Sequence, residues 1–111
     1  MTLGALPLID QAGAALSAAA LRHGVIAGNI ANRDAEGYRR LAVRFEQAWG
    51  THPGRAGSAT TARVVHEPPG VEVSLERDLA SMASNALAYQ ALARSLGAYF
   101  ALLGSALGGR V

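Results

Sequence analysis

The chain has no cysteine and no lysine among its 111 residues, and it has few aromatic side chains. The absence of cysteine excludes a disulfide framework and a thiolate metal site. All ten basic residues are arginine, against eight acids, and a formal charge of +2 is too small to indicate a nucleic-acid partner. With two Phe, one Trp and three Tyr, the predicted core is thin and built from small side chains.

The sequence patterns of common enzymes are also missing. There is no Cys nucleophile, no Gly-rich phosphate loop after a strand and no His-Glu-x-x-His helix. His52 and His66 lie in a glycine- and proline-rich stretch with only Glu67 nearby, which gives no preformed ligand geometry. We therefore expect no catalytic, cofactor-binding or metal site, and no small-molecule substrate.

The chain length allows one domain. We expect no cleaved export signal, because the N-terminus lacks a basic segment and Pro7 and Asp10 interrupt its apolar run. A membrane span is also not expected. The uncharged run from Ser95 to Gly109 is shorter than the roughly 18–20 apolar residues that a span needs.

The strongest positive pattern is a heptad repeat in the last third of the chain. Small or apolar residues recur in steps of four and three, at Leu75, Leu79, Met82, Ala86, Tyr89, Ala93, Leu96, Phe100, Leu103 and Leu107. This spacing predicts a long helix over residues 72–107 with both core positions of a coiled coil filled. Arg94 is the only charge between Asp78 and Arg110, so we expect neighbouring subunits or a membrane to cover the remaining faces.

A second, smaller-sided heptad pattern lies near the N-terminus. Its members are Ile9, Leu16, His23 and Ile30 in one series, and Ala5, Ala12, Ala19 and Ile26 in the other. They predict a helix over residues 7–32 with His23 at the seam, in which the glycines are tolerable if another backbone packs closely there. The expected fold is all-α: two long terminal helices pair as an antiparallel coiled-coil hairpin.

The connector, residues 33–71, is predicted to be irregular with short extended segments. Leu41, Val43 and Phe45 alternate with other residues, which favours extended chain leading into a short helix at residues 46–49. Residues 50–70 have the composition of a loop, in which residues 62–66 could pair as a short strand.

The most specific short motif lies at the end of the first predicted helix. It consists of Asn29, Ile30, Ala31 and Asn32, followed after four residues by Gly37 and Tyr38. This motif resembles the signature of flagellar rod, hook and hook-associated proteins, which usually read Ala-Asn-x-x-Thr-Pro-Gly-Tyr. The segment from Val73 to Leu79, with Asn85 and Tyr89-Gln90, is similar to the C-terminal helix of the short proximal rod proteins. Ala35-Glu36 replaces Thr-Pro, which we expect to make the turn less rigid.

The resemblance implies a structural subunit of the bacterial flagellar basal-body rod. Such a subunit would leave the cell through the flagellar type III export apparatus without a cleaved signal and would assemble in the periplasm. Its expected partners are its own copies, other rod proteins, the MS-ring protein and the adaptor FliE. Two closely related short proximal-rod types fit the chain length. A monomeric helical bundle and a membrane-associated helix are the alternatives outside the family.

The isolated chain should contain less helix than the two heptad patterns imply. Most faces of the helices would lack partners, and helices without tertiary cover are marginal in water. Circular dichroism of the purified monomer at low concentration measures this directly. Full helicity with a sharp unfolding transition would favour a monomeric bundle instead.

Overall fold

Two helices flank a β-hairpin in this chain. The computed structural model describes residues 5–49 and 58–108, with side chains described for residues 8–46 and 61–108. The elements are α1 (Ala5–Ala31), β1 (Leu41–Trp49), β2 (Ser58–His66) and α2 (Leu75–Gly108). Two long terminal helices are therefore present as predicted. The all-α assignment is correct only in part, because the described chain is mostly helical but its connector contains a two-stranded antiparallel sheet.

Local chemistry explains where α2 begins. The Ser74 hydroxyl oxygen accepts a hydrogen bond from the backbone N–H of Arg77 at 3.1 Å, which is the geometry of a helix N-cap. Glu76 and Asp78 place negative charge in the first turn, where the helix dipole favours it. The helix therefore begins at Leu75 rather than at residue 72, and α1 begins at Ala5 rather than at residue 7.

The hairpin is longer and more regular than the sequence suggested. Its strands pair from Leu41↔His66 to Trp49↔Ser58 without a break in register. The short helix predicted at residues 46–49 is wrong, because this segment pairs with β2 and continues the strand alternation that begins at Leu41. An ion pair between Glu46 and Arg63, 3.1 Å apart, links the strands on one face. Residues 50–57 of the predicted loop lie outside the described residues.

The two helices pack side by side and run in opposite directions. Asn85 of α2 contacts Ala19 in the middle of α1, and Asp78, near the start of α2, lies 3.8 Å from Arg33, just beyond the end of α1. On α2 the buried or half-buried residues include Asp78, Met82, Asn85, Leu92, Leu96, Tyr99 and Leu103. Their successive spacings are four, three, seven, four, three and four residues, which keeps them on one helix face, but their register differs from the predicted one.

The predicted heptad register of α2 is therefore only half correct. Met82, Leu96 and Leu103 are half-buried, as expected of core positions. The other core series is displaced by one residue, because Asp78 and Asn85 occupy the buried positions next to Leu79 and Ala86. The hydrogen-bonding and ion-pair partners of these polar groups lie on α1 and the hairpin, so burial follows the polar contacts and the apolar side chains remain outside.

The interior of the described part of the chain is small. Its buried apolar side chains are Ala18, Ala19 and Val25, and no side chain in that part is both large and fully buried. The described part of the chain therefore lacks the apolar core that a compact domain of this length has.

The glycines within the helices do not mark close backbone contacts. A Cβ atom added at Gly13 or Gly24 would meet nothing within 4 Å, and one at Gly28 would meet only the Tyr38 hydroxyl at 3.9 Å. The close backbone contact that would make these glycines tolerable is therefore not supplied within the described part of the chain. The helix-weakening effect of each glycine, about 1 kcal/mol, is not offset by a neighbour within this chain.

The turn after α1 keeps its geometry without proline. The Tyr38 N–H donates to the Ala35 carbonyl at 3.1 Å, and Gly37 has a φ of 77°. A positive φ at the third position is the requirement of a type II turn, and glycine meets it without steric cost. Glu36 occupies the second position, where proline presets the backbone angle.

Replacing Glu36 with proline should strengthen this turn. Because proline restricts the unfolded chain and matches the second position, Glu36→Pro should stabilise it by about 0.4–1 kcal/mol. Amide hydrogen exchange of the Tyr38 N–H should then slow by about two- to fivefold. Glu36→Ala serves as the control and should leave the exchange rate nearly unchanged. Faster exchange in the proline variant would show that the turn has another geometry.

Candidate assembly surface and its supporting junction

The family-like motif forms the junction between α1 and the hairpin. Asn29 is 2% exposed. Its amide nitrogen donates to the Leu41 carbonyl at 2.9 Å, and its amide oxygen accepts from the Leu41 N–H at 3.0 Å. The amide therefore satisfies both backbone groups of Leu41, as a neighbouring strand would. The hydroxyl of Tyr38 donates to the same Asn29 oxygen at 2.9 Å.

The other motif residues end the helix and form the turn. Asn32 donates from its side-chain amide to the Gly28 carbonyl at 2.8 Å, which satisfies a carbonyl in the last turn of α1. Ile30 is half-buried, whereas Ala31 is exposed. Gly37 then brings Tyr38 back to Asn29. The motif residues thus cooperate in one structural task, which is to set the position of β1 against α1.

A second junction ties the hairpin to α2. The guanidinium of Arg40 donates two hydrogen bonds to the two carboxylate oxygens of Asp78, at 2.9 and 2.8 Å. Its Nε donates to the Glu67 carboxylate at 3.0 Å, while the Glu67 N–H donates to the Arg40 carbonyl at 2.9 Å. Paired hydrogen bonds between charged groups are both stronger and more directional than neutral ones. This arrangement fixes the base of the hairpin to the first turn of α2.

The charge state of Asp78 follows from this geometry. Asp78 is 4% exposed, and burial alone would favour its neutral form. The hydrogen bonds from Arg40, aided by the charges of Arg40 and Arg33, instead hold the pKa of Asp78 below its ordinary value of 3.8. The carboxylate is therefore ionised at neutral pH, and its contacts stabilise the folded chain there.

A third polar contact lies between the helices. Asn85 is 5% exposed and donates from its amide to the Ala19 carbonyl at 2.7 Å. Its oxygen accepts a hydrogen bond from Arg22 at 3.3 Å, and the Arg22 guanidinium lies 5.1 Å from the centre of the Phe45 ring. A buried amide with one matching partner disfavours other alignments of two helices. Asn85 thus specifies how α2 aligns with α1.

Several of these residues were not predicted as functional from the sequence. Asp78 and Asn85 are seven residues apart and precede two predicted core positions, so a polar series at heptad spacing was the available signal. Arg40 and Glu67 are 27 residues apart, and only the pairing of β1 with β2 brings them together. His23, predicted at the seam, is exposed at the edge of a groove between the helices.

The predicted packing residues fall into two groups. Those that are half-buried are Ile9, Leu16, Ile26, Ile30, Met82, Leu96 and Leu103. Those that remain largely exposed are Leu75, Leu79, Tyr89, Phe100 and Leu107, which we call the outer stripe. The outer stripe follows one flank of α2 from its first turn to its last, and Phe100 and Leu107 are 49% and 87% exposed.

Exposed apolar side chains also occur beyond the outer stripe. Leu87 and Leu102 lie on other faces of α2, and each is 67% exposed. Large apolar side chains exposed on several faces of one helix indicate contacts with proteins or a membrane. The best candidate site in the described chain is therefore the exposed surface of α2. The three polar junctions hold α2 in the position that leaves this surface uncovered.

An open groove of about 890 Å³ lies by the second junction and is lined by Arg33, Arg39 and Pro68 among others. Within residues 5–49 and 58–108, no cluster of three or more His, Cys, Asp or Glu side chains could hold a metal ion. By length and composition alone, α2 could cross a membrane, since an 18-residue window reaches a mean hydropathy of 1.2 and is unburied.

Comparison with known proteins adds no family assignment. No protein-family model matches the chain, and no curated protein is significantly similar to it.

Replacing Asp78 with asparagine should weaken the second junction in a pH-dependent way. Losing one member of a buried ion pair costs about 3–5 kcal/mol, and because Arg40 keeps Glu67, we expect about 2 kcal/mol at pH 7. The depressed pKa means that this contribution is present above about pH 4 and is lost as pH falls through the lower, folded-state pKa. Urea unfolding followed by circular dichroism measures the difference.

The matched control is Asp34→Asn, which removes an exposed carboxylate from the turn. We expect Asp34→Asn to change the free energy of unfolding by no more than about 0.5 kcal/mol, both at pH 7 and well below pH 4. A difference between Asp78→Asn and the parent chain that persists unchanged well below pH 4 would contradict the assigned role of the Asp78 charge.

Proposed function

We propose that this chain is a structural subunit of the bacterial flagellar basal-body rod, of the proximal FlgB type. It assembles with copies of itself and with other rod proteins through its terminal helices into a helical tube. The observation that carries the proposal is the uncovered apolar surface of α2 along its whole length. The motif from Asn29 to Tyr38 resembles the rod and hook signature. This resemblance is the reason for proposing that the assembly that covers the surface of α2 is a flagellar rod.

The small amount of apolar burial within the single chain supports assembly. The described chain buries Ala18, Ala19 and Val25, while large apolar side chains along α2 remain exposed. Covering these side chains at one or more contacts would supply the apolar burial that the single chain lacks. A contact that joins different surfaces on two identical chains repeats without closing and builds a filament.

In the assembled state, we propose that the coiled-coil pattern is completed between chains. Within one chain, Met82, Leu96 and Leu103 lie near α1, while Leu79, Phe100 and Leu107 remain exposed. Neighbouring helices that cover the outer stripe would bury both series of the heptad repeat. Open space beside Gly24 and Gly97 would let those helices approach closely.

The proposal includes a cellular route and partners. The subunit passes through the flagellar type III export apparatus without a cleaved signal and assembles in the periplasmic rod. Its neighbours are other rod proteins, the MS-ring protein and the adaptor FliE. A subunit of the related FlgC type is the alternative within the family and would use the same surfaces.

A second candidate is a membrane-associated helical protein, which the apolar length of α2 favours. In that case the uncovered faces of α2 would meet lipid rather than other subunits. The two candidates differ in an observable way. Assembly of the detergent-free chain buries the outer stripe, whereas membrane association requires vesicles and is independent of protein concentration.

Placing a charge on the outer stripe should prevent assembly. Burying a Phe contributes about 1.5–3 kcal/mol per contact, and a buried unpaired carboxylate adds a larger cost. Phe100→Asp should therefore abolish rod formation and motility in cells that carry only this variant. Because Phe100 is 49% exposed, the isolated variant should retain its circular dichroism spectrum. Leu96→Asp should block assembly too, but with loss of helix because Leu96 is half-buried.

Ala101→Asp is the matched control for Phe100→Asp. It places the same charge in the same turn, about 100° around the helix, on the side that already carries Glu76 and Arg94. We expect weaker impairment of assembly from this variant. Normal rods and swimming in cells with Phe100→Asp would overturn the proposed role of the outer stripe.

A further inference from the structure

The described hairpin has two long edges, and α1 covers one of them. Both backbone groups of Leu41 are hydrogen-bonded to the Asn29 amide, so the N–H and C=O of Leu41 point away from β2. Further along β1, the Arg22 guanidinium lies over the Phe45 ring, and α1 packs against this strand. The side of β1 that faces away from β2 is therefore occupied by the chain's own helix.

The alternation of backbone groups shows which residues of β2 point outward. In an antiparallel pair, residues that bond the partner strand alternate with residues that point away from it. Leu41 points away from β2, whereas the Arg40 carbonyl accepts a hydrogen bond from the Glu67 N–H. Even-numbered residues of β1 therefore bond β2, and by the register the odd-numbered residues of β2 bond β1. The outward residues of β2 are Ser58, Thr60, Ala62, Val64 and His66.

The outer edge of β2 is open within the described chain. Neither helix packs along β2, and no described group hydrogen-bonds to the outward N–H and C=O of Ala62 or Val64. Devices that usually protect an edge are also missing, because the nine residues of β2 include no proline or lysine and pair with β1 without a bulge. Such an edge is a template for a further strand, since a strand supplies donors and acceptors in matching order.

The strand that a second copy offers to this edge is its own β2. In each copy α1 occupies the free side of β1, which leaves the edge of β2 open. Antiparallel pairing about a two-fold axis at Ala62 brings outward residues against outward residues along the whole strand. Arg63, the only charged residue of β2, then lies opposite Thr61 of the other copy, so like charges are not directly opposed. Arg63 also keeps its ion pair with Glu46 of its own chain, at 3.1 Å.

The faces of the two hairpins match as well. Val43, Phe45, Ala62 and Val64 share the face of the hairpin that is opposite the ion pair. Phe45 and Val64 on this face are 46% and 42% exposed. A two-fold axis perpendicular to the sheet puts this face of both copies on one side, so the apolar surface becomes continuous across the contact. A lone two-stranded hairpin is marginally stable, whereas a sheet of more strands with an apolar face is stable.

We propose that two copies of the free chain pair through the outer edges of β2 into one four-stranded antiparallel sheet. A two-fold contact closes after two copies and does not propagate into a filament. The dimer is therefore a state of the free chain, distinct from the proposed rod contact on α2, and it does not depend on that contact.

A single introduced cysteine tests the two-fold register, because the natural chain has none. In this register Ala62 faces Ala62 of the other copy at a Cα separation of about 5.5 Å, which a disulfide spans. Val64 is four residue steps, or about 13 Å along the strand, from Val64 of the other copy. Under mild oxidation, Ala62→Cys should give a disulfide-linked dimer on a non-reducing gel, and Val64→Cys should give little, although Val64 is the more exposed.

Removing one outward N–H tests the contact without cysteine. Ala62→Pro deletes an N–H that the hairpin itself does not use, and a proline is tolerated at such an edge position. The variant is made in the Phe100→Asp chain, so that the outer stripe does not contribute to association. The dimer dissociation constant from analytical ultracentrifugation should rise at least about tenfold, because the hydrogen bonds across the axis are lost. Ala62→Val keeps the N–H and should not weaken the dimer. Circular dichroism checks the fold of both variants.

The outcomes separate this inference from the proposed function. A selective disulfide at Ala62 together with a weakened Ala62→Pro dimer supports pairing through β2. Equal disulfide yields at Ala62 and Val64, equal dimers from Ala62→Pro and Ala62→Val, or a monomeric Phe100→Asp chain at about 1 mM would overturn it. None of these results bears on rod formation in cells. Normal rods in cells with Phe100→Asp would overturn the outer stripe and leave the pairing of β2 standing.

Discussion

The ion pair between Arg40 and Asp78 is the contact on which the arrangement of this chain depends most. Its two hydrogen bonds, of 2.9 and 2.8 Å, join the start of the hairpin to the first turn of α2. Arg33, just beyond α1, lies 3.8 Å from the same carboxylate, and Glu67, just beyond β2, shares the same guanidinium. Three segments that are distant in sequence therefore meet at one buried charge pair. The directional hydrogen bonds of this pair fix the orientation of the helices, because the small amount of buried apolar surface does not do so.

This dependence on polar contacts explains an unusual distribution of side chains. The buried polar residues Asn29, Asp78 and Asn85 equal in number the buried apolar residues of the described chain. Each polar group has a specific partner, so it contributes orientation as well as energy. The larger apolar side chains of α2 face outward instead. A subunit built this way can hold one conformation while its apolar surface stays free for neighbours.

Much of the helical architecture could be predicted from the sequence. The heptad spacing located both helices to within a few residues, and the motif from Asn29 to Tyr38 correctly marked a helix end and turn. The extended segments at residues 41–45 and 62–66 were predicted, but their pairing and the full length of the hairpin were not, because the pairing of β1 with β2 depends on contacts between distant residues that local composition does not show. One of the two predicted core series of α2 was misassigned by one position for a related reason. Apolar spacing alone predicts that Leu79 and Leu107 are as buried as Leu96. The side of α2 that is buried is instead decided by the partners of Asp78 and Asn85.

The central claim is that neighbouring copies, rather than water or lipid, cover the apolar surface of α2. Electron cryo-microscopy of particles formed by the purified chain without detergent tests it most directly. The account predicts a helical assembly in which Leu79, Phe100 and Leu107 are buried against adjacent subunits. A reconstruction in which α2 lies on the solvent-exposed outside of the particle would contradict the account, and so would particles that form only around lipid or detergent.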